Sequence, residues 1–405
     1  MSFILSSEFS SLVQQHLHDD VQQLALQRHR YPQLSDTDFH FLIQQVEGRQ
    51  RTKDKLPTFA QNADWWYPVR LSCEQCSSEA TARYKAALIA PLAHRALIDL
   101  TAGYGVDTYF MSEHIPEVHY IERNADLCAI ASHNFAHTRP HIQIHNTTAE
   151  HFLSQSPHRP IASSPHFPIA SSPHRLIYLD PARRSQSGSK VFRIEDCEPN
   201  VINILPTLRT IASTILIKFS PMLDISAALH ALGNEWDVHI VAVNGEVKEV
   251  LMITGKGEIR AVNILSTKTD IFSMQPNEEK QSHATMADKI GRYIYEPNAA
   301  IIKAGAFRAM SERYKIQKLD THTHLYTSDD CMADFPGRVW QVIDAEVKDP
   351  KKQLDTKTKY SILSRNYPLS PDQIRKKYKL KDGDDYYLIA VRHNTKPKLI
   401  LASRL

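Results

Sequence analysis

The hydrophobic pattern changes character near residue 95. Before that point, apolar positions recur at helical spacing. Phe9, Leu12, Leu17, Val21, Leu24 and Leu26 predict a helix over 9–27. Phe39, Phe41, Leu42 and Val46 predict a second, with Ser35 and Asp36 placed to cap it. A third is expected from Ser77-Ser78 through Tyr84 to Leu92. From Arg95 onward, short apolar runs at 96–100, 117–121, 142–145, 176–179, 214–219 and 237–243 alternate with amphipathic stretches. Runs so short and so uniformly apolar read as buried strands. With helical segments between them they predict a parallel sheet with crossover helices, a Rossmann-like α/β fold.

The remaining segments are less regular. A polar linker is expected over 273–287. Beyond it, Ser370-Pro371-Asp372-Gln373 predicts a helix start with a capping box. Runs at 386–391 and 398–401 predict a hairpin around Asn394-Thr395. Between Ser156 and His174 an eight-residue unit repeats in tandem: 156–163 and 164–171 differ only at Arg159 and Phe167. Its proline-histidine pairs raise a metal hypothesis, but a Pro/Ser-rich loop expansion is the simpler expectation.

Length and composition narrow the class. At 405 residues, with 42% hydrophobic and 23% charged residues, the chain is expected to be globular with more than one domain. It has no apolar run approaching the ~18 residues of a membrane span. Five scattered cysteines argue for a reducing compartment, and the opening residues lack a secretory pattern, so a cytoplasmic location is expected. The net charge of +3 is unevenly spread: 331–405 holds 16 Lys and Arg against 9 Asp and Glu. A basic terminal domain on a slightly acidic body suggests contact with a polyanion.

The segment Leu97-Ile98-Asp99-Leu100-Thr101-Ala102-Gly103-Tyr104-Gly105-Val106-Asp107 carries the first chemical signal. A strand ends in a carboxylate, and two glycines open the next helix, where a Cβ would hold the backbone away from a ligand. Pyrophosphate cofactors favour donors and an uncluttered helix start at this turn. An acid there suits the sulfonium and α-amino group of S-adenosylmethionine better. The third glycine of a dinucleotide fingerprint is also missing, which disfavours a nucleotide-dependent oxidoreductase. Glu122 ends the next strand at the spacing of one strand–helix–strand unit, where it can accept two ribose hydroxyls. Thr148 and Ala149, after the third strand, are expected to border an adenine.

A fourth strand ends in Asp180-Pro181-Ala182-Arg183. Acceptors there could draw on the protons of a base amino group and free its delocalised lone pair for methylation. Methylation of a pyrimidine C5 needs a thiolate. Cys197 is the nearest candidate and has no obvious activating base, so that chemistry is disfavoured. Cys73 and Cys76 form a single pair without a second at zinc spacing, and the 21 histidines make no ligand set, so no metal is expected.

These residues resemble a known group. Asp99 to Asp107 and Asp180-Pro181 look like class I methyltransferases, and the first motif is similar to that of bacterial guanine-N2 methyltransferases of small-subunit ribosomal RNA. The whole chain resembles bacterial class I methyltransferases with a C-terminal THUMP-like domain. Gln75 to Ala82 is similar to the segment preceding their catalytic domain. Tyr295 to Gly305 resembles their ferredoxin-like domain, and Arg365 to Gly383 their THUMP-like terminus.

The resemblance implies a helical region at 1–76, a methyltransferase domain at 77–272 with a repeat loop at 155–175, a ferredoxin-like domain at 285–330 and a THUMP-like domain at 331–405. It implies S-adenosyl-L-methionine as cofactor and RNA, ribosomal or transfer, as partner. The expected cofactor residues are Asp99, Thr101, Gly103, Gly105, Asp107, Glu122, Arg123, Thr148 and Ala149. Asp180, Pro181 and Arg183 are expected to face the acceptor, and Arg375, Lys376, Lys377 and Lys379 to hold RNA. Asp180-Pro181-Ala182-Arg183 departs from the Asp-Pro-Pro-aromatic pattern of amino methyltransferases, so base stacking must come from elsewhere or from Arg183. The alternative is a non-catalytic RNA-binding or assembly factor on a degenerate methyltransferase fold.

Overall fold

The computed structural model describes residues 7–155, 174–183 and 194–405. The tandem repeat therefore lies outside the described residues, apart from His174. The chain divides into two compact units, one of 1–236 with 250–254, the other of 237–249 with 255–405.

The first unit begins with helices around a cluster of Phe9, Val13, Leu24, Leu34, Phe39, Leu42 and Val46. The helix expected over 9–27 is two, Ser7–Gln15 and Val21–Ala25. The break follows from Asp20, whose side chain accepts from Gln23 N at 2.9 Å and starts a new helix. Helix Asp36–Thr52 is capped by Ser35 and helix Glu79–Ile89 by Ser78. The basic run after Val46 is not an exposed charged face throughout. Arg49 is 5% exposed and donates to the carbonyls of Ala60, Asn62, Ala63 and Trp65. It pins the segment 60–65 that follows the helix Asp36–Thr52.

That sheet has the predicted strands: β1 Ala96–Asp99, β2 Glu117–Glu122, β3 Ile142–Asn146, β4 Arg175–Leu179, and the strand Thr214–Phe219. β1 lies between β2 and β4, all parallel; β3 follows β2 and Thr214–Phe219 follows β4. An antiparallel segment, Val250 to Ile253, then pairs with Phe219 to Leu216. β1 and β4 are buried at every position, as strands covered on both faces must be. Chain order reverses between β1 and β4. A crevice therefore opens at their carboxyl ends, where Asp99, Glu122 and Asp180 stand.

In the second unit, Val238 to Val243 pair in parallel with Ile259–Ile264, which pairs antiparallel with Thr269–Met274. An eight-stranded sheet runs in the order Gln317–Asp320, Thr323–Ser328, Tyr293–Pro297, Gly337–Asp344, Lys396–Arg404, Tyr386–His393, Lys359–Arg365, Lys381–Asp382. The expected hairpin is present and longer than its apolar runs suggest. The linker expected over 273–287 holds a short helix, Glu278–Gln281. Ser370 and Gln373 form the predicted capping box on helix Pro371–Tyr378.

Candidate active site

The loop after β1 is held from both sides. Gly103 has φ +57°, and a Cβ built there finds no atom closer than Thr101 O at 3.9 Å, so its outer face is open. Its N–H donates to Glu122 Oε2 at 3.0 Å, and its carbonyl accepts from Tyr120 Oη at 2.5 Å. Glu122 Oε1 accepts from Asn124 N at 2.8 Å. Thus β1 and β2 bring the loop and Glu122 into contact, as their spacing predicts. A carboxylate has about four lone-pair positions, so this partly exposed group retains acceptors for two hydroxyls. An open glycine beside a partly exposed carboxylate is a fitting seat for an adenosine-based cofactor.

Other predicted residues stand differently. Gly105 (φ +82°) faces packed protein: a Cβ would meet Phe135 Cζ at 2.8 Å and Tyr120 Cε2 at 3.1 Å. Its glycine serves packing against those rings rather than approach of a ligand. Asp99 is fully buried, taking Thr101 N–H at 3.1 Å and Thr108 Oγ1–H at 2.5 Å. Burial pushes its carboxyl up to about 8, against the opposing effect of the Thr108 and Thr101 hydrogen bonds. It shapes the loop; it is not the exposed negative charge that the sequence suggests for a sulfonium.

Asp107 is likewise enclosed. Lys85 Nζ lies 3.2 Å from its Oδ1, and Ser77 Oγ and Tyr178 Oη donate to its Oδ2 at 2.7 and 2.6 Å. Burial alone would raise its pKa, but Lys85 and Lys218 outweigh it and hold the carboxyl below its ordinary value. The segment at Ser77 is thereby fastened to the first helix of the sheet domain. Arg123 is exposed and pairs with Glu198 at 2.8 Å. Thr148 is exposed and accepts from His151 N at 3.2 Å, while Ala149 is buried.

At the end of β4, Asp180 is positioned at two points. Its N–H donates to Thr101 Oγ1 at 2.6 Å, tying it to the glycine loop. Its Oδ2 lies 2.5 Å from Lys218 Nζ, with the aspartate side chain 35% exposed. Pro181 is buried. The Arg183 side chain and Arg184 lie outside the described residues, so the stacking role considered for Arg183 is carried by no contact here. Lys218 is the residue that sequence reasoning passed over. It sits on Thr214–Phe219, one position beyond the register pair Leu179–Ile217, which sets it opposite Asp180. A lysine in an otherwise apolar strand was the available signal.

Cys197 is buried, and burial, reinforced by Asp196 and Glu195, pushes its thiol up to about 12. It is a thiol rather than a thiolate near neutrality, consistent with the disfavoured C5 route. Among the described residues no helix is long and apolar enough to cross a membrane. Of the predicted RNA set, Lys376, Lys377 and Lys379 are exposed. Arg375 is not available in the same way: its guanidinium is paired with Asp372 and Asp382.

Known proteins similar to this chain include methyltransferases. A ferredoxin-like domain model matches 293–336 and a THUMP domain-like model matches 337–404. A protein of Porphyromonas gingivalis W83, whose crystal structure is described as that of a candidate methyltransferase, superposes with a TM-score of 0.84. It is 29% identical, over 100% of this chain and 98% of that one. An uncharacterized S-adenosylmethionine-dependent methyltransferase of Mycobacterium tuberculosis, found in strains CDC 1551 and H37Rv, is 21% identical over 87% of this chain and 92% of its own length.

Proposed function

We propose that this protein, an S-adenosylmethionine-dependent methyltransferase with ferredoxin-like and THUMP-like domains at its C-terminal end, methylates an amino group on a base in RNA. The observation that carries the reading is Asp180. It is a partly exposed carboxylate, clamped by Thr101 and Lys218, at the mouth of the same crevice as Gly103 and Glu122.

When bound, the cofactor supplies an electrophilic methyl group on its sulfonium. Gly103 offers open backbone at the loop, and Glu122 accepts from the ribose hydroxyls. Asp180 accepts a hydrogen bond from the acceptor amino group through the oxygen not held by Lys218. That bond draws density onto the nitrogen as methyl transfer proceeds. The Pro181 carbonyl, next in the chain after Asp180, serves as a second acceptor. Lys218 fixes the plane of the carboxylate and so acts through it as a positioning residue.

Lys218→Met is therefore expected to lower kcat about 10- to 100-fold, the scale of a misplaced reactive group. The Kd for S-adenosylmethionine should move much less, and Lys218→Arg should restore part of the rate. Equal loss in kcat and in cofactor affinity, measured by single turnover and calorimetry, would assign Lys218 to cofactor binding instead.

The basic THUMP-like region supplies the polyanion contact. Replacing Lys376, Lys377 and Lys379 together with Gln is expected to weaken RNA binding. The slope of log K against log salt should fall by about 0.7 for each phosphate contact removed. An unaltered slope refutes that role. The functional reading itself is tested by incubating the protein with labelled cofactor and total ribosomal and transfer RNA. Label on a base amino group supports it, whereas RNA binding with no transfer favours a non-catalytic assembly factor.

A further inference from the structure

Apart from the lysine-rich helix, the second unit holds a buried carboxylate gripped by two half-exposed guanidinium groups. Glu296, near the end of Tyr293–Pro297, is 3% exposed. Its Oε2 accepts from Arg338 Nη2, and its Oε1 from Arg365 Nε at 2.8 Å. Arg365 Nη2 lies at 2.8 Å from the same oxygen. Glu296 and Arg338 are direct partners across antiparallel strands, so their spacing is set by backbone register. Gly337, beside Arg338, has no room for a side chain: a Cβ there would stand 2.1 Å from Glu296 O. Arg365 Nη1 is steadied by Ser364 O at 3.0 Å, and Arg338 lies over the Trp340 ring at 5.3 Å.

Charge arithmetic makes this arrangement unusual for a mere fastening. One arginine neutralises one buried carboxylate; the second leaves an excess positive charge at a fixed place. The side chains of Arg338 and Arg365 are 47% and 44% exposed. A guanidinium carries five N–H donors. Arg338 commits its Nη2 to Glu296, and its Nε and Nη1 have no protein hydrogen-bond partner among the described residues. Two planar forks with donors to spare, already immobilised by a shared anchor, match the oxygens of a phosphate group. Much of the ordering cost that a flexible lysine meets on binding is met here by the fold.

We propose that Arg338 and Arg365 form a phosphate-binding fork for the RNA backbone, with Glu296 holding the two guanidinium groups in place. The proposal rests on the RNA reading above. It locates a backbone contact at the Arg338–Glu296–Arg365 cluster, separate from the lysines of helix Pro371–Tyr378.

The test uses the full-length protein and a short labelled single-stranded RNA of mixed sequence, titrated by fluorescence anisotropy over a series of KCl concentrations. The informative variant is Glu296→Gln/Arg338→Gln/Arg365→Gln, which removes the fork without leaving a buried charge. It is expected to bind about tenfold more weakly, with a salt slope shallower by about 0.7 per lost phosphate. Arg338→Lys/Arg365→Lys keeps the charge but loses the planar fork; it should bind more weakly than wild type with little change of slope. Wild-type affinity and slope in a triple variant with native circular dichroism would overturn the fork and leave the RNA reading standing. Should the triple variant not fold, the double lysine variant decides, since unchanged affinity there also overturns it. Failure of the wild-type protein to bind RNA at all would remove the RNA reading, and the fork with it.

Discussion

Asp180→Asn is expected to reduce methyl transfer by about 10²- to 10⁴-fold in kcat, the usual contribution of a positioned acid–base group. The backbone clamp from Thr101 Oγ1 to Asp180 N does not depend on the side chain, so the strand end should keep its place. An amide presents one acceptor and one donor where a carboxylate presents only acceptors. In one orientation its NH2 would face Lys218 and in the other the amino group of the substrate, and both oppose the native pattern. Affinity for S-adenosylmethionine should change by no more than a few fold, because Glu122 lies on β2 and Gly103 on the loop after β1. Single-turnover transfer of labelled methyl, with calorimetry on the same sample, checks both halves. Near-wild-type turnover would remove Asp180 from the chemistry.

Glu122→Ala has the largest expected effect on binding. Two charge-assisted hydrogen bonds to ribose hydroxyls, at about 1.5–3 kcal/mol each, correspond to a loss of roughly 100-fold or more. A second loss adds to it. Glu122 also accepts the Gly103 and Asn124 N–H groups at 3.0 and 2.8 Å, so its removal loosens the loop on which the cofactor sits. Glu122→Gln keeps one acceptor and should fall between alanine and wild type. Unchanged affinity in the alanine variant, measured by calorimetry, would show that the cofactor does not use this strand end.

These two expectations differ in how openly the sequence displayed them. The strand-end acids at 99, 122 and 180 were visible because strands in a buried parallel sheet are nearly continuous apolar runs. A carboxylate closing such a run marks its carboxyl end. What the acids do was not visible. Asp99 and Asp107 look like ligands in the motif, yet the fold buries both. Asp99 is held by the Thr108 hydroxyl and the Thr101 amide, Asp107 by Lys85, Ser77 and Tyr178. Their partners arrive from other elements, up to 71 positions away in the case of Tyr178. Gly105 was similarly misleading: two glycines look alike in sequence, but only Gly103 faces open space.

Charged residues repeat the lesson. Arg49, Lys85 and Lys218 appear in the chain as ordinary basic residues. In the structure Arg49 binds four carbonyls, Lys85 is fully buried against Asp107, and Lys218 braces Asp180. Arg375 sits in an obviously basic helix, but Asp372 and Asp382 take up its charge. The fork at Arg338 and Arg365 lay outside the segment that looked most basic.

The amino-acid sequence by itself determined the local conformations and their order. Apolar periodicity distinguishes strand from helix, and serines at 35, 78 and 370 cap helices through bonds reaching only three residues. Only the tertiary structure decided which carboxylates stay exposed and which are enclosed by a cation or a hydroxyl. The reason is range: backbone patterning is set by near neighbours, whereas the state of a charge is set by whatever the fold brings within a few ångströms of it.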